Sequence, residues 1–219
     1  MLNQYLEKLE RKFGRFAISN LMLYIVLGMG VFAVADVILT TNPDNNVFLL
    51  DMIRFDKEKI MHGEVWRVIS FVLEPPDLNM IFLAFALYFY WMMGSALEQA
   101  WGSFRFNIFY FSGVIGCIIA GFIRGSATNY YLYISLFIAF AILYPDEQIM
   151  LFFFIPIKVK WLGLFSILSL LAMFIVGDFQ TRIFLLLSLV NLLLFFGKDL
   201  VMKVYYFFRR YYYKWFKNK

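Results

Sequence analysis

FRFNIFYFSGVIGCIIAGFI, residues 104–123, carries one charge, Arg105, in twenty residues. A helix rises about 1.5 Å per residue, so roughly 20 apolar residues cross the hydrocarbon core of a bilayer. The stretch lacks period-two alternation, and a lone apolar run in lipid satisfies its backbone only as a helix. Its small residues are Ser112, Gly113, Gly116, Ala120 and Gly121, with Gly125 just beyond. The spacings Ser112-xxx-Gly116 and Gly121-xxx-Gly125 let neighbouring helices approach closely.

Five similar segments flank it, at about 18–40, 80–97, 130–145, 161–177 and 181–197, predicting an all-α membrane protein of six spans. Composition agrees: 63% of the chain is hydrophobic, 21% aromatic and 16% charged, with mean hydropathy +0.73. A soluble domain keeps about a quarter of its residues charged. The segment at 130–145 is the weakest by length and carries the hydroxyls of Tyr130, Tyr131, Tyr133 and Ser135, yet Tyr144-Pro145-Asp146 ends it clearly. One cysteine, Cys117, excludes a disulfide framework and a thiolate metal cluster.

Three units follow: an amphipathic N-terminus (1–17), a transmembrane domain (18–197) and a tail (198–219). The N-terminal stretch has no short apolar region before a small-residue cleavage site, so the first apolar run is read as a retained span. With the N-terminus inside, fourteen Lys and Arg fall in the cytoplasm against six outside, and four of those six share one long loop. The bias predicts both termini in the cytoplasm. The tail, KDLVMKVYYFFRRYYYKWFKNK, interleaves cations with aromatics and reads as a segment lying on an anionic leaflet, in preference to a nucleic-acid binder. Residues 146–160, DEQIMLFFFIPIKVK, hold an apolar run too short to span, expected along the interface or re-entrant.

Three motifs recur in order. Trp66-Arg67 lies in GEVWRVISF, residues 63–71, within a first loop (42–79) expected to associate with the membrane. The second span closes in GSALEQAWG, residues 94–102, holding Gly94, Glu98 and Gly102. Here Glu98 is expected to cap the turn or to pair with Arg105. The third span holds FSGVIGCIIAG, residues 111–121, with Gly113, Gly116 and Gly121. In this order the elements resemble the rhomboid superfamily over roughly residues 18–197. The resemblance implies a six-helix core and a lateral groove between the second and fifth helices that admits substrate spans.

The family's catalytic parts do not carry over. The resemblance places its serine near Tyr130, within Thr128-Asn129-Tyr130-Tyr131, and its oxyanion-supporting positions near Phe82 and Ala86; the sixth span, which would supply the histidine, holds Asn191 and no histidine. A serine hydroxyl is a weak nucleophile without a nearby base. The one histidine, His62, stands in the first loop, and a lone imidazole does not make a metal site. Ser126 or Ser135 with Lys158 or Lys160 as base would need groups from opposite membrane faces. Asp36 and Asp178 could form an aspartyl pair, but each reads more simply as a carboxylate at a span end. Asn191 and Ser188, one turn apart, read as helix-to-helix hydrogen bonding ahead of a pathway lining.

The expectation is therefore a rhomboid-like pseudoprotease, resembling derlins and inactive rhomboids, in a bacterial cytoplasmic membrane. It would bind transmembrane client helices and need no metal or cofactor. The competing expectations are an intramembrane protease with an unusual nucleophile and a small transporter. The sequence leaves the client and the oligomeric state open.

Overall fold

A computed structural model describes residues 2–41, 49–151 and 155–197. The tail reading (198–219) and the NPDNN part of the first loop fall outside the described residues. Each of the six expected segments is helical. After the amphipathic α1 (Leu2–Phe13) comes α2 (Leu21–Thr40). The first loop folds into three short helices, α3 (Leu49–Ile53), α4 (Lys57–Met61) and α5 (Arg67–Ser70), with strand β1 (Phe55–Asp56) between the first two. Then follow α6 (Met80–Trp101), α7 (Ser103–Arg124), strand β2 (Ser126–Ala127) and α8 (Tyr130–Leu143). Strands β3 (Gln148–Leu151) and β4 (Ile155–Lys158) lead to α9 (Val159–Val176), α10 (Phe179–Ser188) and α11 (Val190–Gly197).

Helices α2, α6, α7 and α9 are long and apolar enough to cross a membrane. The pair α10 and α11, bent by 55° at the break, makes a fifth candidate. The chain is a mostly helical, multi-pass membrane protein. It is not purely α: β1 pairs antiparallel with β2, and β3 with β4.

Helix α7 is the axis, with 56% of its apolar window buried against 17–28% for the other long helices. Its small residues make this possible, though at a spacing shifted from the two predicted pairs. Gly113, Gly116 and Ala120 meet the neighbouring helices, while Gly125 ends α7 at φ 96°. A Cβ on Gly116 would stand 1.9 Å from the Leu187 carbonyl oxygen, and one on Gly113 2.7 Å from Asn191 Nδ2. The bend between α10 and α11 thus sits directly against α7. Gly94 does the same for α6, where a Cβ would lie 2.4 Å from Met22 Cγ on α2.

Helix α8 has only 14 residues, about 21 Å of rise. Nine of them are buried, including Tyr133, Ser135 and Leu136. A helix enclosed by other helices need not match the hydrocarbon thickness, and its hydroxyls find partners in protein.

Of the segment 146–160, expected along the interface or re-entrant, residues 152–154 lie outside the described ones, and β3 and β4 on either side pair antiparallel, with Met150 opposite Pro156. Pro156 has no N–H to give the ladder, a loss tolerated in an isolated pair where that face needs no partner. Asp146 anchors its base, accepting from Lys160 at 3.1 Å and Lys158 at 3.3 Å.

Two outcomes are expected. Gly116→Ala should lower the melting temperature in detergent, costing about 1–3 kcal/mol, because the obstructing atom is backbone. Gly30→Ala, whose Cβ would meet only Leu87 at 3.8 Å, should not. The lysines hold the Asp146 carboxyl below its ordinary 3.8. Its anchoring is therefore complete above that value and lost only as pH falls through the lower folded value. A carboxyl NMR titration placing the midpoint at or above 3.8 would contradict the pairing.

Candidate functional site

The first loop is knit together by buried polar groups of its own and tied to the bundle from the start of α8. Arg67 is 3% exposed. Its Nε donates to Glu64 Oε2 at 2.5 Å, and its Nη1 donates to the carbonyls of Asp51 and Arg54, the latter at 3.0 Å. Ser70 Oγ donates to the Ile53 carbonyl at 2.9 Å. A buried guanidinium persists only with such partners, and its planar fork reaches several acceptors at once. The neighbouring Trp66 is half-exposed and donates from Nε1 to the Met52 carbonyl at 3.2 Å.

Asn129, just before α8, closes the clamp from the other side. Its Nδ2 donates to the Glu74 carbonyl at 2.8 Å and the Phe71 carbonyl at 3.1 Å. Tyr133 Oη, one turn into α8, donates to the Val72 carbonyl at 3.3 Å and stacks on Tyr90 with centroids 4.2 Å apart. Phe55 lies over Gly121, where a Cβ would come within 2.8 Å of its ring. Sequence reasoning stopped at Tyr130 and missed Asn129 and Tyr133; their only signal was polar side chains at the start of an apolar run.

The positions expected to mark a lost active site are not gathered together. Tyr130 is 58% exposed at the start of α8. Asn191, fully buried, donates from Nδ2 to Ser135 Oγ at 2.7 Å and so joins α11 to α8. Ser135 in turn donates to the Leu132 carbonyl at 2.7 Å. Ser188 does not share this link; its buried Oγ lies beside the Cys117 thiol of α7 instead. Phe82 and Ala86 face a different place, the cleft described below.

Glu98 and Arg105 do not pair with each other. Glu98 Oε1 accepts from the Asn20 backbone N–H at 2.9 Å and from Ser103 Oγ at 2.6 Å. It thereby ties the start of α2 to the start of α7. Gly102, at φ 82°, makes the sharp turn between α6 and α7 that brings Ser103 within reach. Arg105 is drawn instead to α1, with Nε 3.3 Å from Glu10 Oε2. Asp36 and Asp178 are likewise engaged separately: Asp36 accepts from Leu50 N at 3.0 Å, and Asp178 caps α10 through Thr181 N at 3.1 Å. His62 sits in an exposed turn with Nδ1 2.7 Å from the Glu58 carbonyl. Among the described residues no acidic, His or Cys cluster could hold a metal.

A cleft of about 790 Å³ opens beside α6. Phe82, Ala86, Phe89 and Met92 of α6 form one wall. Phe140 and Tyr144 at the end of α8, with Gln148 to Met150 of β3, form the other. Tyr144 Oη donates across the narrow end to the Ala96 carbonyl at 3.2 Å, and Gln99 and Glu147 line the same end. The groove expected between the second and fifth helices is therefore built differently. No residue of α9 lines it, because the β3–β4 pair faces α6 while α9 packs on α8 and α10.

Arg67→Ala should strand two loop carbonyls and the Glu64 carboxylate, costing about 2–4 kcal/mol. Arg54→Ala, which removes the exposed 2.7 Å pair with Glu74, should cost less than about 1 kcal/mol. Thermal unfolding with hydrogen exchange over residues 49–79 tests this, and equal effects would refute the clamp. Compared with protein-family models, curated proteins and solved structures, the chain matches none.

Proposed function

We propose that this chain is a rhomboid-like, non-catalytic membrane protein that binds a transmembrane helix of a client in the cleft between α6 and the β3–β4 pair. The observation that carries the reading is the cleft itself. It opens on the flank of a membrane-crossing helix, its walls are mainly aromatic and aliphatic, and its polar groups Gln99, Tyr144, Glu147 and Gln148 gather toward one end, with only the Tyr88 phenol farther along α6. That pattern suits one face of an apolar helix whose flank emerges into water.

The reading includes six spans with both termini in the cytoplasm of a bacterial cytoplasmic membrane. The burial of the short α8 and the single bent unit of α10 and α11 support the count, and the Lys and Arg bias supports the orientation. The order of the motifs supports the rhomboid resemblance: a first loop with Trp66-Arg67 folded back onto α8, a glycine turn after α6, and a glycine-faced α7. Binding without cleavage is favoured because serine chemistry needs a base. Here Ser135 is held by Asn191 and the Leu132 carbonyl, and the lone histidine lies in an exposed loop turn.

Two experiments test it. A photo-crosslinking residue at Phe82 or Met92 in native membranes should capture a membrane protein. The same residue at Ile119, on the exposed face of α7, should not, and Ala86→Trp should abolish capture. Incubation with transmembrane substrates beside an active rhomboid should yield no cleavage. Turnover that vanishes in Ser126→Ala or Ser135→Ala would overturn the proposal and restore the protease.

A further inference from the structure

A second concavity, on another flank of the bundle, has a different chemistry. It encloses about 390 Å³ between α8, α9 and the bent pair α10–α11. Its lining is almost wholly aliphatic: Ile138 and Ile142, Ile167 and Leu171, and a row on the bent pair that includes Leu189 and Leu193. No side chain that lines it carries a hydrogen-bonding group. A client helix would find no polar landmark there.

Its upper rim carries a cation. Arg182, exposed on the first turn of α10, donates from Nε to the Phe174 carbonyl at 2.9 Å and from Nη2 to the Ile175 carbonyl at 3.0 Å. Its guanidinium also lies 5.9 Å from the Phe174 ring, which is part of the groove wall. These acceptors are neutral, and among the described residues no carboxylate pairs with Arg182. From Leu185 near this rim to Gly197 at the far end the lining runs twelve residues, about 18 Å along the helical path and somewhat less across its 55° bend. One leaflet's acyl chains occupy roughly 15 Å, half the hydrocarbon core.

We infer that this groove is a binding site for a single anionic phospholipid, its acyl chain along α9 and α11 and its phosphate on Arg182. The charge beside a tail-length apolar slot sets the occupant. A zwitterionic lipid would fill the slot but bring its own headgroup cation beside Arg182, whereas an anionic one brings only negative charge. The bend at Leu189, imposed where Gly116 meets the Leu187 carbonyl, turns α11 relative to α10 beside the slot. The site is separate from the client cleft, and the inference does not depend on that reading.

The test is the full chain purified in mild detergent, with native mass spectrometry and phospholipid analysis of what remains bound. Phosphatidylglycerol and phosphatidylcholine are then added back in competition. Wild type should retain one phospholipid and prefer the anionic one about fivefold, the worth of one basic residue near a charged headgroup. Arg182→Gln should keep the lipid and lose the preference, whereas Arg182→Lys should retain it. Leu193→Trp and, independently, Ile167→Trp should expel the lipid without lowering the melting temperature, and Ile119→Trp should have no effect. A wild-type chain that retains no lipid overturns the inference. So do an unchanged preference in Arg182→Gln, equal lipid loss in Ile119→Trp, and a second copy of the chain occupying the groove in place of lipid.

Discussion

The structure depends on how closely other backbones can approach α7. In lipid the hydrophobic effect does not drive one apolar helix onto another, so association relies on packing and hydrogen bonds. Gly116 lets the Leu187 carbonyl come to a distance no side chain would permit, and Gly113 leaves room for Asn191. That approach puts Asn191 Nδ2 within 2.7 Å of Ser135 Oγ on α8. One glycine-lined face therefore fixes the last helices, their bend and the only cross-helix side-chain bond that joins α11 to α8 among the described residues. Gly121 extends the face to Phe55 of the first loop.

Polar groups do the remaining work at the two ends of the bundle. At one end Arg67, Asn129 and Tyr133 bind loop carbonyls, so that a segment built of short helical turns still satisfies the backbone groups those turns leave over. Lys59 pairs there with Asp51 at 3.1 Å and holds its carboxyl below the ordinary value. At the other end Glu98 joins α2 to α7 and Asp146 holds the β3–β4 pair. The two ends differ in kind. The first is closed by hydrogen bonds to backbone, and the second leaves the α6 flank open beside the β3–β4 pair.

That asymmetry frames the functional reading. The Asn129 amide and the Tyr133 phenol, at the start of α8, bind loop carbonyls and so hold the first loop over the end of that helix. Under the proposed reading, recognition falls to the flanks of the bundle. One flank offers a cleft with aromatic walls and a polar end, the other an aliphatic slot with a cation at its rim. Their chemistries suit different occupants, a helix and a lipid tail.

The sequence by itself determined the helical segments, because an apolar run in hydrocarbon has no other way to pair its backbone. It also determined that serine–histidine chemistry has only His62 to draw on, since residue types are read directly. The Trp66-Arg67 and glycine motifs were legible as scaffold, but not their partners. Tertiary structure alone decided that Glu98 reaches Asn20 and Arg105 reaches Glu10, pairs separated by 78 and 95 residues. It alone decided that Asn129 meets Glu74, that residues 148–151 pair antiparallel with 155–158, and that the last apolar segment breaks at Leu189. Periodicity and composition report a residue's relation to solvent and to its own helix. Which distant backbone comes within 3 Å is set by how the helices cross, and no local pattern encodes that.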